Sequence, residues 1–557
     1  MRHFRNEEPW KSAYWSRVTQ RRLSRRVLLK VGAFGTAGLA GAAYLGCGDG
    51  EEKKGVTPTA GKTVAPEGTP KPGGSVTVLM GAPFSTMDSA FHSTNADKYC
   101  IYNVYEPLTA PDTDEEMKQY SVPFLAEKWE QVDDKTINFQ LRRNAKFHDG
   151  TDVDSAAVKA YYDMVLKPET ASPRLADMVS LDHVESPDAS TVTMFLKRVD
   201  GGFLGAIGRW AGAMRSPTAV AKWGNDYQNH PVGAGAFMFK RQEPGVLYEF
   251  ERNPDYWQGP SYLDGYKCRV IPDKAVAAAA LKAGEIDYAA GGDLDTADLG
   301  AFQKDADFDV VIAGAGNLGT IWVNKKREPG NNIHLRKAIS YAIDRDEFVQ
   351  KYGGLAFITP GPLPKYSLYE TPDEPDPEYS PEKAKEELKA AGYQDGLTIN
   401  LVAVNDPILQ ADTELLAAQL GKVGISVKTE FVPATQAGLT LNKGEYDFAY
   451  GAWPVESAGD IDYAMTQLYH SKGFFNNGTT SDPEIDTLVD SVQPLGPNER
   501  ADVYRHVMKI VVENAYMVYV VGMPQINVIR KNVRGYIPMN KPHGFGLEKQ
   551  FRGIWLA

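Results

Sequence analysis

The sequence predicts an α/β protein built from two lobes of similar design. An internal repeat supports this prediction, because residues 281–289 (LKAGEIDYA) and 441–449 (LNKGEYDFA) share Leu, Gly, Glu, Asp and Ala at matching positions. Each copy ends a helical run, turns at a glycine and enters an apolar strand. Helix, glycine and strand form the second half of a βαβ unit, which builds parallel sheets. Alternating β-branched segments such as Ser75–Met80 (SVTVLM) are the second observation.

The chain before the first repeat mixes strands and helices. In order, the sequence predicts a strand at Ser75–Met80, a helix near 99–105, paired strands at 127–130 and 136–141, a helix over 155–165 capped by Asp152 or Asp154, and a strand at 191–196. Residues 109–230 therefore form a mixed α and β block that could be one subdomain.

Besides the helical run that ends in the second repeat copy, three helices are predicted in the remaining chain. Residues 274–283 form the first, with Asp273 as its cap. Residues 335–348 (LRKAISYAIDRDEF) carry one apolar stripe at helical spacing, which predicts a helix packed on the core. Ser380, Pro381 and an early acid begin the third helix, which ends at Gly392.

The amino-terminal segment predicts export. Arg25 and Arg26 precede residues 31–46, an uncharged run that is shorter than the roughly 20 residues of a membrane-spanning helix. A basic region, a short apolar region and small residues form an export signal over 1–46, and the paired arginines resemble the twin-arginine signal. Cys47 resembles the lipidated cysteine of a lipobox; cleavage after residues 40–42 (AGA) is the alternative. Residues 47–74 predict a flexible tether.

Charge and composition exclude several classes of protein. Segment 1–46 holds nine of the 60 Lys and Arg residues and two of the 72 Asp and Glu residues, so the mature chain carries a net charge of −19. Nucleic acid is therefore not an expected partner, since phosphate binding needs clustered basic residues. The nine histidines are scattered and no HExxH or CxxC sequence occurs, so no metal or other cofactor is expected. Cys100 and Cys268 could pair outside the cell or remain buried thiols; free, buried thiols are favoured.

A glycine-rich segment keeps a different class open. Residues 314–319 (GAGNLG) match the dinucleotide-binding pattern GxGxxG, which would suit a secreted oxidoreductase. That pattern requires a helix after the glycines. The β-branched and aromatic residues 320–323 (TIWV) predict a strand instead.

Five ordered motifs resemble those of the extracellular solute-binding proteins of family 5, the peptide- and nickel-binding proteins of ABC importers. They are PFLAEKW (123–129), FHDG (147–150), HPVGAGAF (230–237), ERNPDYW (251–257) and RKAISYAIDR (336–345). The resemblance implies a type II periplasmic-binding-protein fold, with two α/β lobes joined by hinge strands and an extra α+β subdomain. Lobe I would comprise 72–108, 231–322 and 526–557, the subdomain 109–230, and lobe II 323–525, with hinge strands near 321–324 and 523–527.

The resemblance also implies a ligand site and its partners. Peptide-binding relatives carry a Gly-Trp-x-x-Asp segment whose carboxylate binds the ligand's α-ammonium group. Trp453 matches the Trp, Glu456 stands at the Asp position, and Asp460 is a second candidate. We therefore expect a monomeric, non-enzymatic receptor outside the cytoplasm that delivers peptides to an ABC permease and is held at the membrane by a lipid anchor. A binder of a metal chelate or an oligosaccharide, with Trp453 stacked on the sugar, is the alternative within the family.

Overall fold

The computed structural model describes residues 68–557 except 93, 95, 112–120, 201, 360, 362–376, 455–464, 474–475, 477–480, 493–494, 496 and 536–550. The export signal at 1–46, Cys47 and most of the tether at 47–74 lie outside the described residues and remain predictions. The described end of the tether, residues 68–74, contains no helix or strand and is mostly exposed.

Within the part of the chain that the structure describes, the strands form four sheets. In chain order they are β1 (Ser75–Met80), β2 (Thr109–Pro111), β3 (Ser121–Pro123), β4 (Ala126–Asp133), β5 (Thr136–Leu141), β6 (Leu181–Asp188), β7 (Thr191–Leu196), β8 (Phe237–Glu243), β9 (Leu247–Arg252), β10 (Gly265–Val270), β11 (Tyr288–Ala290), β12 (Phe308–Val323), β13 (Leu397–Val404), β14 (Ile425–Val432), β15 (Phe448–Pro454), β16 (Met517–Arg530), β17 (Val533–Arg534) and β18 (Trp555–Leu556).

The α-helices alternate with these strands over much of the chain. They are α1 (Lys98–Val104), α2 (Ser155–Leu166), α3 (Phe203–Ile207), α4 (Pro217–Trp223), α5 (Lys274–Ala283), α6 (Thr296–Phe302), α7 (Ile333–Tyr341), α8 (Arg345–Lys351), α9 (Pro381–Ala390), α10 (Pro407–Gly421), α11 (Ala434–Lys443), α12 (Pro483–Ser491) and α13 (Pro497–Glu513). The α/β prediction is confirmed. Within the described residues, no helix combines the length and the apolar character needed to cross a bilayer.

The main sheet has ten strands in the order β14-β13-β15-β12-β16-β11-β1-β10-β9-β8. It contains two parallel sets, β11-β1-β10 and β15-β13-β14. The long antiparallel strands β12 and β16 lie between the two sets. Because β11 and β15 both run antiparallel to their neighbour in this central pair, the two parallel sets point in opposite directions along the sheet.

A separate antiparallel sheet, β4-β5-β7-β6, forms between residues 126 and 196. Its apolar side chains share a core with α2. This core includes Phe139 of β5, Met194 of β7 and Tyr162 of α2. Asp154 rather than Asp152 caps α2, since its carboxylate accepts a hydrogen bond from the backbone amide of Ala157 at 2.8 Å. The predicted mixture of strands and helices in this part of the chain is confirmed.

Both copies of the internal repeat have the predicted local structure. Asp273 caps α5, and Gly284 follows that helix with φ of +80°. Gly444 follows α11 with φ of +65°. Both angles lie in the left-handed region that a residue with a Cβ rarely adopts, which explains a glycine at each position.

The prediction of one helix over 335–348 is wrong. The stripe residues are buried as expected, but α7 ends at Tyr341 and α8 begins at Arg345. Asp344 interrupts the helix, because its carboxylate caps α8 by accepting from the amide of Glu347. Arg345 Nη1 donates to the carbonyls of Ser340 and Ile343 at 3.2 Å each, which satisfies acceptors left by the break.

Two further sequence questions are decided by the structure. Cys100 and Cys268 are both free and fully buried, as favoured. Residues 314–319 lie within β12, which continues as a strand to Val323. No helix follows these glycines, so the dinucleotide-binding hypothesis, and with it the secreted oxidoreductase, is wrong.

Candidate ligand-binding site

The carboxyl ends of the two parallel sets converge on one stretch of the central strand pair. Ala290, the last residue of β11, pairs with Asn527 of β16, and Asn527 pairs with Val311 of β12. Pro454, the last residue of β15, pairs with Asn317 of β12. Both sets therefore end beside residues 311–317. Ligands of α/β proteins bind at the carboxyl ends of parallel strands, so this is the candidate site.

The central pair is irregular at this stretch. Ala313 pairs with Gln525 and Asn317 with Met523, so β12 has more residues between these pairs than β16 has. Such a bulge locally interrupts the ladder and bends the strand, and bulges often occur next to binding sites. The segment that resembled a dinucleotide-binding loop is therefore the bulged crossing of β12.

The predicted ligand residues begin on β15. The backbone of Trp453 pairs with Leu318 of β12. Trp453 is the second-last residue of β15, so it lies close to the point where the carboxyl ends of the two parallel sets converge. Glu456 and Asp460 follow the strand and lie outside the described residues. The structure thus describes the strand end from which this segment leaves, and the ligand contacts of Trp453, Glu456 and Asp460 stay a prediction.

The opposite set contributes a carboxylate that the sequence analysis missed. Asp293 follows β11 by three residues and accepts a hydrogen bond from the amide of Gly81, the residue after β1. Burial raises the pKa of Asp293 to about 6, against the smaller opposing effects of the Gly81 hydrogen bond and of Lys274. No sequence pattern marks this residue, because its position depends on the pairing of β1 with β11.

Three of the family-like motifs, FHDG, HPVGAGAF and ERNPDYW, meet at a junction beside the start of β8 and the end of β9, not at the carboxyl ends of the parallel sets. His148 of FHDG contacts the carbonyl of Gly235 through Nε2 at 2.9 Å and the amide of Gly233 through Nδ1 at 3.4 Å. Burial lowers the pKa of His148 to about 4, so the ring is neutral at pH 7 and donates from Nε2. Asn253 of ERNPDYW also donates to the carbonyl of Gly235, at 3.0 Å.

The same junction buries a carboxyl group. Tyr256 Oη and Trp257 Nε1 both donate to Glu106, the latter at 2.6 Å. Burial raises the pKa of Glu106 to about 8 despite these donors.

The RKAISYAIDR motif lies in a different part of the fold. Its Arg336 donates to the carbonyls of Gly330 and Asn331 at 2.9 Å each. These motif residues hold the fold together.

Comparison of the sequence with models of known protein families identifies the chain as a solute-binding protein. The model described as bacterial extracellular solute-binding proteins, family 5 Middle, matches residues 121–476. The chain belongs to this family.

Individual relatives agree with the family match. The glutathione-binding protein GsiB of Salmonella choleraesuis (strain SC-B67) is 28% identical over 475 residues, which cover 83% of this chain and 91% of that protein. The periplasmic binding protein DppA from Helicobacter pylori, in complex with the peptide STSA, has a TM-score of 0.74 at 23% identity and covers 87% of this chain and 98% of its own.

A third neighbour binds a different ligand on the same fold. NikA from Brucella suis, in complex with Fe(III)-EDTA, has a TM-score of 0.76 at 21% identity, covering 87% of this chain and all of its own. The fold is the type II periplasmic-binding-protein fold, as the sequence resemblance implied. Peptide and metal-chelate ligands both occur among these neighbours, so ligand identity has to be argued from the site.

Proposed function

We propose that this chain is the extracytoplasmic substrate-binding component of an ABC importer and that it captures peptides and delivers them unchanged to a membrane permease. The observation that carries this proposal is the family match over residues 121–476, together with the convergence of the carboxyl ends of both parallel sets on residues 311–317 of β12. The glutathione-binding relative and the peptide-bound neighbour support a peptide ligand. Among the described residues, no group of three or more His, Cys, Asp and Glu side chains is arranged to hold a metal ion.

The proposed domain arrangement follows the family. Lobe I comprises 72–108, 231–322 and 526–557, residues 109–230 form the extra subdomain, and 323–525 form lobe II. Ligand contacts with both lobes would shift the population toward a closed form, with β12 and β16 as the hinge. The closed form is the one that the permease would recognise.

In the proposed site, Glu456 binds the peptide's α-ammonium group. A partly buried ammonium group needs an opposite charge to offset its desolvation. Trp453 covers an apolar part of the ligand, and Asp460 supplies a second carboxylate. Side chains of the peptide lie in hydrated pockets, which allows broad selectivity.

The proposed cellular arrangement rests on the amino-terminal sequence. The signal at 1–46 exports the chain, Cys47 carries the lipid, and residues 47–74 connect the anchor to the folded part. The mature protein works as a tethered monomer at the outer face of the cytoplasmic membrane. Mass spectrometry of the mature amino terminus checks this, since a diacylated Cys47 and cleavage after Ala42 give different masses.

The peptide assignment is tested by calorimetry with trialanine and N-acetyl-trialanine. We expect Glu456→Gln to weaken trialanine binding about tenfold, which is roughly 1.4 kcal/mol, and to leave the acetylated peptide unaffected. Glu445→Gln is the matched control, because Glu445 is exposed at the opposite end of β15.

Equal affinity of the unmodified protein for both peptides would remove the proposed amine contact. Binding of nickel–histidine or maltotriose in place of any peptide would instead assign the site to a metal chelate or an oligosaccharide.

A further inference from the structure

A cluster of four side chains, those of Lys351, Tyr352, Asp412 and Tyr450, connects β15 with α10 and the end of α8; Asp412 and Tyr450 are buried, while Lys351 and Tyr352 reach the surface. At its centre is Asp412 of α10, whose side chain has no solvent exposure. Lys351 Nζ donates to Asp412 Oδ1 at 2.5 Å, and Tyr352 Oη lies 2.9 and 2.8 Å from the two carboxylate oxygens. Tyr450 Oη of β15 donates to Oδ2 at 2.9 Å. These donors provide what a fully buried carboxylate needs.

Tyr450 occupies a special position on β15. It pairs with Ala403 of β13 on one side and with Ile321 of β12 on the other. Beyond Tyr450, residues 451–454 pair only with β12, since the pairing with β13 stops at Ala403. The strand therefore loses one of its two neighbours immediately before it reaches Trp453.

The hydrogen bond to Asp412 joins β15 to the helix that leaves β13. After Val404 the chain turns at Asp406, which caps α10 by accepting from the amides of Ile408 and Leu409. Asp412 lies in the second turn of α10. Its bond to Tyr450 thus connects β15 with the β13–α10 unit at the point where the backbone pairing between the two strands stops.

Gly319 leaves room for this connection. A Cβ added at Gly319 would lie 2.5 Å from Tyr450 Oη and 3.2 Å from Val521 Cγ1. The contact with Oη is too short for any real Cβ, so a side chain here would displace the Tyr450 hydroxyl from Asp412. This accounts for the last glycine of the GAGNLG segment, which the rejected dinucleotide hypothesis left without a role.

The Tyr450 hydroxyl is protonated at neutral pH and is therefore available as a donor to Asp412. Burial, and secondly the negative charge of Asp412, raise the pKa of Tyr450 well above its ordinary value. Lys351 balances the carboxylate charge, and its Nζ also lies 3.4 Å from the carbonyl of Ile408 in the first turn of α10.

We propose that Asp412, acting through Tyr450, positions the end of β15 for ligand binding. Asp412 and Tyr450 are positioning residues and do not contact the ligand. This inference rests on the proposed function in one respect, since it takes residues 451–453 to lead into the ligand-binding segment. Its structural part, the fixing of the strand end, can be measured in the absence of any ligand.

The test compares Tyr450→Phe with Tyr352→Phe in the full mature chain. Each variant removes one phenolic donor to Asp412, but only Tyr450 belongs to β15. We expect Tyr450→Phe to accelerate hydrogen exchange of the hydrogen-bonded amides among residues 451–453 about tenfold in the unliganded protein, and to weaken trialanine binding about tenfold. Tyr352→Phe should change both quantities less than twofold, although it lowers the thermal midpoint by a similar amount. Gly319→Ala should behave as Tyr450→Phe does.

Equal effects of the two tyrosine variants on exchange at 451–453, or no effect of Tyr450→Phe there, would overturn the proposal and leave the cluster with a purely structural role. The proposed function fails separately, if the unmodified protein binds neither trialanine nor glutathione. In that case the exchange comparison still decides whether Asp412 fixes the end of β15.

Discussion

At the scale of single residues, Glu106 has the clearest consequence for stability. It is 4% exposed and accepts hydrogen bonds from Tyr256 and Trp257, yet burial raises its pKa to about 8. Because the folded state holds this proton more tightly than the unfolded state, the associated stability is fully present below pH 4.5 and is lost as the pH rises toward 8.

Glu106→Gln should remove this pH dependence. We expect the free energy of unfolding of the unmodified protein to fall by about 2–5 kcal/mol more than that of the variant between pH 5 and pH 8. Glu243→Gln, at an exposed ion pair with Arg241, is the control. Thermal unfolding at several pH values measures the difference, and identical pH profiles for Glu106→Gln and the unmodified chain would contradict it.

Residue identity alone predicted local structure well where the cause is local. Ser380 was expected to begin a helix, and its Oγ accepts from the amide of Lys383. Asp293 and Asp412 gave no such signal, because each depends on partners far away in the chain, Gly81 and Tyr450 respectively. Their environments follow from strand pairing, which a single sequence does not specify.

At the scale of elements, the HPVGAGAF segment shows how a motif can serve packing. A Cβ added at Gly233 would lie 2.0 Å from the carbonyl oxygen of Val104, the last residue of α1, and one at Gly235 would lie 2.3 Å from that of Asn103. These close approaches to backbone leave no room for any other residue type.

We therefore expect Gly233→Ala to destabilise the protein by about 3 kcal/mol, since the overlap is with main chain that has to move as a unit. Gly205→Ala in α3 is the matched control: its added Cβ meets nothing within 4 Å, and alanine favours the helix. The measurement is the thermal midpoint of each variant. Equal midpoints for the two variants would show that the contact with α1 imposes no constraint.

The elements also show where periodicity misleads. The apolar stripe over 335–348 is real, since Leu335, Ala338, Ile339 and Ile343 are all buried. It does not require one continuous helix, because two short helices separated by a capping Asp344 bury the same side chains. Conversely, the strand-forming residues after Gly319 correctly outweighed the GxGxxG match, because β-branched and aromatic residues favour an extended backbone.

At the scale of the whole molecule, the site is a product of topology. The repeat at Gly284 and Gly444 indicated two α/β units, but it gave neither their opposite directions nor the convergence of β11 and β15 on residues 311–317 of β12. Three of the motifs that identify the family lie at a packing junction. They therefore predict the fold far better than they predict the ligand.

Native mass spectrometry of the mature chain, mixed with an equimolar library of dipeptides to pentapeptides, tests the central proposal most directly. If the protein binds peptides reversibly and without chemical change, one peptide should be bound per chain. The masses of the peptides in the library should also be unchanged after prolonged incubation. A chain that remains unbound in the presence of the whole library, or that cleaves its peptides, would contradict the account.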